Sequence, residues 1–381
     1  MMKSIKYLCH YDFQNAPLKR EYPLSAATKM DYIISSIIDA GYFVELYSMA
    51  PIDNEKLGLY KGYTTKKKNC SIQYQPTVTG NSIFCKLARM VFRDISLLYF
   101  LLFKVRRNEP IIVYHSPAFI RILFWAKKIK RFKLILEAEE IYHDVSKFSK
   151  SFILAEDRLL KSADAYLFST ELLHTRVNSR NKAWLVNYGT YNVEPQICDK
   201  FGDGKIHVVY AGTFDPNKGV ADAVAAGEFL ASNYHLHILG FGSVEQIQYV
   251  KKIVDEISEK TQARVTYDGL LKGAEYLKFL QKCHIGLSTQ KPDAAFNGTS
   301  FPSKVLSYMS NGLSVVSIRI DAIEKSKVGS YIKFYDKQEP IEIAKAIMST
   351  DIINENRVLL ERLSLEFNAE MKVLLDSFNR V

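Results

Sequence analysis

Short apolar runs that end in small residues, each followed by helical spacing, recur along this chain, and that alternation limits its fold more than any other feature. Ile206 to Tyr210 is a clean apolar strand, followed by Ala211-Gly212-Thr213-Phe214-Asp215-Pro216-Asn217-Lys218-Gly219 and then a helix from Val220. His235 to Leu239 ends in Gly240-Phe241-Gly242, and Val265 to Tyr267 runs into Asp268-Gly269-Leu270-Leu271. A helix over Ala274 to Gln281 precedes another strand, Ile285 to Ser288. The N-terminus opens the same way, with a strand at Ser4 to Leu8, a polar loop at His10 to Pro23, a helix over Leu24 to Ala40 ending at Gly41, and a strand at Tyr42 to Ser48. Strand, loop, helix, strand is the signature of a parallel, doubly wound α/β sheet, in which ligands bind beyond the carboxyl ends of the strands. Small residues at those ends let a ligand approach the backbone.

Phe301 to Ser317, FPSKVLSYMSNGLSVVS, is the most ligand-suited of these units. Pro302 presets φ at a helix start, Lys304 to Met309 reads as one short helix, and Asn311-Gly312 stops it before the strand Leu313 to Ser317. Unpaired N–H groups at a helix start, joined by a lysine on the first turn, suit an anion such as a diphosphate. An ordinary crossover with a solvated lysine would share the pattern.

At 381 residues and 48% hydrophobic content the chain is expected to form two globular domains. Its start lacks the apolar core of a signal peptide and no long uncharged apolar run occurs, so a cytoplasmic protein without a membrane span is expected. Cys9, Cys70, Cys85, Cys198 and Cys283 are scattered, with neither a CxxC pair nor a Cys/His ligand spacing, which argues against a zinc site or a disulfide framework. The net charge of +10 is unevenly spread: residues 1–195 hold 29 Lys and Arg against 18 Asp and Glu, and the remainder holds 22 against 23. The basic half calls for an anionic partner, and no aromatic-interleaved module or base-reading motif points to nucleic acid. An anionic membrane surface fits better. Phe84 to Arg107 sets Lys86, Arg89, Arg93, Lys104, Arg106 and Arg107 around the apolar run Ile95 to Phe103, too short and charged to span a bilayer. It reads either as a helix lying on a membrane or as a core helix with a charged outer side. Lys127, Lys128, Lys130, Arg131 and Lys133 are placed to share that side.

His115 directly follows the buried-type strand Ile111 to Tyr114, and Leu134 to Leu136 runs into Glu137-Ala138-Glu139-Glu140-Ile141-Tyr142-His143-Asp144. Such a concentration of titratable groups at strand ends can support acid/base work or bind hydroxyls. An acidic helix start would look the same. Lys19 and Arg20, in the first long loop, are placed to touch an acceptor. Strands at Asp164 to Ser169 and Ala183 to Val186 close the first half, and Asn187 to Pro195 with Cys198 to Lys205 forms the linker. The expected division is 1–196, 197–360 and a C-terminal helix at 361–381 that can return to the first domain.

In the order of these motifs the chain resembles the GT-B glycosyltransferases, particularly glycosyltransferase family 4 and relatives that assemble bacterial surface polysaccharides. The resemblance is fullest from Val208 to Val316. It implies two Rossmann-like domains facing across a cleft. In the second domain Gly212, Thr213 and Lys218 match the family's diphosphate turn, Gly240, Phe241 and Gly242 its glycine pair, and Gly269 and Leu270 the segment beside the base. Phe301, Pro302, Ser303, Lys304 and Ser307 match the segment over ribose and phosphate. In the first domain His115 is similar to the histidine beside the transferring sugar and is the leading candidate for a catalytic residue, with Glu139 and Glu140 as candidates for base or acceptor binding.

Two departures stand out. Thr213 replaces the arginine common in the family's turn, and Thr299 and Ser307 stand where retaining members carry two glutamates. The stereochemical outcome therefore does not carry over. The resemblance implies a hexosyl transfer from a nucleotide sugar, with a UDP-linked one expected, to a lipid-linked or surface glycan. No cofactor is expected beyond the nucleotide sugar, which is a substrate, and no metal, since no DxD-type carboxylate pair lies near the donor motifs. The enzyme would work on the inner face of the cell membrane. A non-catalytic partner subunit and a sugar-nucleotide epimerase of the same fold are the alternatives.

Overall fold

The computed structural model describes residues 3–13, 18–22, 24–352 and 355–378. The part of the His10 to Pro23 loop at 14–17 and 23 lies outside them. The chain divides into two compact units, 1–190 with 365–381, and 191–364.

Unit 1 contains β1 (Lys3–Cys9), β2 (Tyr42–Ser48), β3 (Gly58–Tyr60), β4 (Tyr63–Lys67), β5 (Cys70–Tyr74), β6 (Thr77–Thr79), β7 (Pro110–Tyr114), β8 (Lys133–Ala138), β9 (Ala165–Phe168) and β10 (Trp184–Val186). Its helices are α1 (Leu24–Asp39), α2 (Ile83–Tyr99), α3 (Ile120–Lys130), α4 (Tyr142–Val145), α5 (Lys150–Ser162) and α6 (Glu171–Val177). The main sheet runs β10-β9-β8-β7-β1-β2-β5-β4, parallel except where β4 pairs antiparallel with β5. β3 and β6 form a separate antiparallel ribbon. The strand order reverses between β1 and β7, so the crevice of this unit lies beyond Cys9 and Tyr114. Lysines 66 and 67 sit on the edge strand β4, where charge discourages pairing with another chain.

Unit 2 contains β11 (Ile206–Thr213), β12 (Tyr234–Phe241), β13 (Arg264–Gly269), β14 (Ile285–Ser288), β15 (Ser314–Ile318) and β16 (Ile332–Tyr335). Its helices are α7 (Val220–Ala226), α8 (Val244–Ser258), α9 (Gly273–Lys282), α10 (Ser303–Ser310), α11 (Asp321–Glu324) and α12 (Pro340–Met348). The sheet is parallel throughout, in the order β13-β12-β11-β14-β15-β16, with its switch point between β11 and β14. The strands are buried on both faces, as expected of a sheet covered by helices on each side. α13 (Asn356–Ser377) starts in unit 2, where the Asn356 side-chain amide donates to the Leu313 carbonyl at 2.6 Å. From Leu365 it belongs to unit 1, with Phe367 against Tyr32 and Asp376 accepting from Tyr42 Oη at 2.8 Å.

Two boundaries differ from the sequence reading in a way that matters for the site. β8 extends through Glu137 and Ala138, so Glu137 is a buried strand residue bonded by the Tyr7 hydroxyl, and the acidic strip proper begins at Glu139. β11 extends through Gly212 and Thr213, which pair with Gly240 and Phe241 of β12. Phe84 to Arg107 is divided between core and surface. α2 passes through one π-helical turn at Phe100–Lys104 that turns Phe100, Leu101 and Val105 into the core, while Phe84, Ile95 and Phe103 stay 80%, 63% and 73% exposed.

Candidate active site

In unit 2 the carboxyl ends of β11 and β12 come closer than side chains would permit. Gly240 has φ +155, and a Cβ there would lie 1.9 Å from the Gly212 carbonyl oxygen. The turn after β11 is then tied down. The Tyr210 hydroxyl donates to the Thr213 and Lys218 carbonyls at 2.9 and 3.2 Å, and Asp215 caps the short helical turn Pro216–Lys218 through Asn217 N–H at 2.7 Å. Gly219 follows with φ +72, and the Thr289 hydroxyl donates to its carbonyl at 2.7 Å. This holds the turn against the end of β14, on the other side of the switch point.

α10 is fixed to the same place. Its Tyr308 hydroxyl accepts from Ala211 N–H at 2.8 Å and reaches the Ala211 and Leu287 carbonyls at 3.4 and 3.3 Å, so the helix is clamped to β11 and β14 together. The start of α10, with Phe301 and Pro302 before it and Ser303 and Lys304 in its first turn, is thereby set beside Gly212. Lys304 Nζ lies 3.3 Å from where a Cβ on Gly212 would be, and 4.1 Å from the Tyr210 ring centroid. It is fully enclosed and finds no hydrogen-bond acceptor among the described residues. Burial foremost, then repulsion from Lys218, pushes its pKa down to about 7. Lys218 Nζ stands 3.7 Å over the Phe296 ring.

Two ammonium groups that repel each other, one of them with no acceptor, are costly without an anion and favourable with one. Helix α10 adds its free N–H groups and partial positive charge. Of the expected donor residues, the structure thus brings together Gly212, Thr213, Lys218, Gly240, Phe241, Phe301, Pro302, Ser303 and Lys304. Gly242 packs beside Gln246 and Phe214 at the head of α8, and Gly269 with the exposed Leu270 ends β13 at the edge of the sheet. Ser307 is hydrogen-bonded to Tyr276, and Thr299 is buried at the end of the turn Ala295–Gly298. Neither presents a carboxylate.

In unit 1, His115 lies beyond β7 but beneath the surface, 1% exposed. Its Nδ1 faces the Glu140 carbonyl at 3.3 Å, its Nε2 lies 3.4 Å from Glu156, and the Tyr142 hydroxyl donates to its carbonyl at 2.9 Å. Burial is the main reason its pKa is lowered, which favours the neutral ring. Glu156, fully buried, also accepts from the backbone N–H of Tyr142 at 2.9 Å and from His143 Nδ1 at 2.6 Å. Glu139 pairs with Lys29 at 2.7 Å, and Glu137, forced up to about 8 by burial and by Glu139, lies just inside. Arg20 is buried, donating from Nη1 to the Ala50 carbonyl at 2.6 Å with Tyr74 under its guanidinium, while Lys19 is exposed and paired with Asp53 at 2.8 Å.

His10 directly follows the carboxyl end of β1, the same strand-end position as His115 after β7, although in sequence it opens a polar loop. His10 stacks on Phe119 with centroids 4.7 Å apart, and its Nε2 meets Ser116 Oγ at 3.4 Å across the switch point. Burial and Arg93 hold its pKa near 4. It lines a pocket of about 130 Å³ with Met49, Pro51, Gln75, Arg89 and Arg93. Lys29 and Glu156 carried no sequence signal, since each sits within a helix among ordinary polar positions.

Residues 205–350 match the family described as Glycosyl transferases group 1. No curated protein matches the chain by sequence. Several solved structures are similar over its whole length. The E. coli trehalose-6-phosphate structure bound with UDP-2-fluoro glucose has 11% identity over 98% of this chain and 99% of that one, with a TM-score of 0.64. Anabaena HepE in complex with UDP and glucose has 13% identity over 100% of both chains and a TM-score of 0.61. The α,α-trehalose 6-phosphate synthase from Burkholderia multivorans has 9% identity over 100% of this chain and 97% of that one, with a TM-score of 0.62. The chain therefore has the α/β fold of the GT-B glycosyltransferases, with parallel-sheet, Rossmann-like domains, as expected from its sequence.

Proposed function

We propose that the protein is a glycosyltransferase whose second unit holds a nucleoside diphosphate sugar, with the diphosphate on Lys218, Lys304 and the start of α10. The observation that carries this is Lys304, a fully buried ammonium with no hydrogen-bond acceptor among the described residues, at the switch point of a parallel sheet. The family match over unit 2 and the UDP-bound similar structures support a uridine nucleotide. In the transfer, the bond from the anomeric carbon to the diphosphate breaks and an acceptor hydroxyl oxygen bonds to that carbon. The hydroxyl proton passes to a base and the nucleoside diphosphate leaves. Charge builds on the departing diphosphate, and preset cations stabilise it as it forms. Because the two lysines supply that countercharge, the transfer is metal-independent at the donor. Hexosyl transfer is the form proposed.

The acceptor side is assigned to unit 1. Glu139, poised by Lys29, and Glu140 are the candidates for taking the acceptor proton or binding its hydroxyls. His115, enclosed between Tyr142 and Glu156, is a positioning residue that sets the Glu140 backbone. Lys19 remains the exposed cation for an acidic acceptor, and Arg20 a strut beneath it. The acceptor proposed is a lipid-linked or surface-polysaccharide glycan, because α2 exposes Phe84, Leu87, Val91 and Ile95 beside Lys86, and α3 exposes Trp125 and Ile129 beside Lys128. Apolar side chains among lysines suit the surface of an anionic membrane, on which the protein would sit peripherally at the cytoplasmic face. No helix among the described residues is long and apolar enough to cross it.

The test is turnover of a panel of nucleotide sugars by the purified full chain, with and without lipid-linked glycan acceptor. Release of nucleoside diphosphate that requires the acceptor is expected. Interconversion of the sugar without acceptor would instead indicate an epimerase, and donor binding without turnover a non-catalytic subunit.

A further inference from the structure

The amino ends of the unit 2 strands, opposite the donor turn, hold a cluster of histidines that the proposed transfer does not use. His207 of β11 and His235 of β12 are register partners, and His237 lies two residues on, so sheet geometry places all three on one face. They are 2%, 5% and 3% exposed. The His235 and His237 ring centroids are 3.8 Å apart, and His207 lies 5.1 Å from His237.

The hydrogen bonds around them leave an imbalance. His207 Nε2 meets Asp203 Oδ1 at 2.8 Å, and His237 Nδ1 meets Asp268 Oδ2 at 3.1 Å. Ionised carboxylates only accept, so these outer nitrogens carry the protons. Asp268 Oδ2 also accepts from the Thr266 hydroxyl at 2.9 Å. Each neutral ring has one proton, which leaves the inner nitrogens, His207 Nδ1 and His237 Nε2, with lone pairs directed at each other across 2.8 Å. Two lone pairs at that distance repel unless a cation lies between them. A shared proton would leave a buried charge on a two-ring bridge. A divalent metal would take both lone pairs and be offset by the two carboxylates.

We propose that His207, His235 and His237 bind a divalent transition metal of the zinc class, with Asp203 and Asp268 orienting the outer nitrogens of His207 and His237, while His235 Nε2 meets the Thr266 hydroxyl oxygen at 3.0 Å. One ring nitrogen from each of the three histidines lies within 4.8 Å of the others. Tetrahedral ligation at a metal–nitrogen distance of about 2.0–2.1 Å needs nitrogens about 3.3 Å apart, which small ring rotations supply. Three imidazoles suit zinc, copper, nickel or cobalt rather than magnesium or calcium. Carboxylates on the far nitrogens are the arrangement that fixes tautomers in histidine–metal sites. The ligands come from two strands, with His235 and His237 forming a His-x-His pair on β12, Asp203 four residues before His207, and Asp268 on the neighbouring strand β13. A metal here would tie β11 to β12 and serve stability, since the donor residues stand at the other ends of the same strands.

The experiment uses the full chain, dialysed against chelator and titrated with cobalt(II). We expect one equivalent to bind with the visible absorption of tetrahedral cobalt, zinc to displace it, and zinc to raise the melting temperature reversibly. His237→Gln should abolish the band. Asp203→Asn, at a position 48% exposed and so tolerant of change, should weaken affinity by about 10–100-fold while far-ultraviolet dichroism stays unchanged. A folded wild-type protein that gives no such band overturns the proposal, leaving a shared proton as the bridge. Equal uptake by wild type and Asp203→Asn would also overturn it, by placing the metal elsewhere.

Discussion

Lys304 carries its charge at a cost that only an anion offsets, and this makes its behaviour measurable. With a pKa near 7 in the fold and 10.5 when exposed, it binds fewer protons folded than unfolded between those values. Stability of the ligand-free protein should therefore rise with pH across that window. Lys304→Met should remove the slope and raise the midpoint of urea unfolding, most at pH 7 and least near pH 10. The same substitution should weaken binding of UDP by about 2–5 kcal/mol, the usual cost of deleting one partner of a buried charge pair. In the wild type, UDP affinity should fall as pH climbs above about 7, by up to about tenfold per unit, with proton uptake on binding seen by calorimetry in buffers of different ionisation heat. The two lysines were legible in the sequence from their places after a glycine turn and a proline. The enclosure of one of them was not, because it depends on Tyr210 and Gly212 of β11 meeting α10, elements far apart in sequence.

The donor turn is built by the crowding of whole elements. Gly240→Ala would press a methyl group to 1.9 Å from the Gly212 carbonyl in a backbone conformation that L residues rarely adopt. We expect a loss of at least about 1–3 kcal/mol, read from denaturant unfolding. Tyr308→Phe should cost about 1–3 kcal/mol, since it leaves the Ala211 N–H without its acceptor, and should loosen UDP binding by freeing the start of α10. Helix α2 makes a separate prediction. Replacing Phe84 and Ile95 together by Asp should cut binding to vesicles of anionic lipid at least about tenfold, since fully burying one such side chain is worth about 1.5–3 kcal/mol. UDP affinity should not change. Unaltered vesicle sedimentation would remove the membrane role of this face. At this scale the strands and helices were readable from apolar period and glycine stops. The extension of β8 through Glu137 was not, because a glutamate satisfied by a buried tyrosine has no mark in the pattern. Nor was the division of α2 between core and surface, which its π turn decides.

Across the whole molecule, two sheets wound on the same order set carboxyl strand ends at two switch points, one lined by His10, His115 and Ser116, the other by Gly212, Lys218 and Lys304. Long-range placement made the first of these hard to foresee. His10 looked like loop, and the partnership of His115 with Glu156 joins positions on different elements. The second was visible because its residues lie in short motifs around single turns. The excess of basic residues in the first half of the sequence is what the proposed anionic, membrane-borne acceptor would require. In the proposed reaction unit 2 grips a diphosphate through Lys218 and Lys304. Calorimetric titration of the full chain with UDP at pH 7 tests it most directly: the wild type should bind one equivalent, and Lys218→Ala should lose about 3 kcal/mol of that affinity, as removal of one preset charge donor does elsewhere. Unchanged UDP affinity in both Lys218→Ala and Lys304→Met would contradict it.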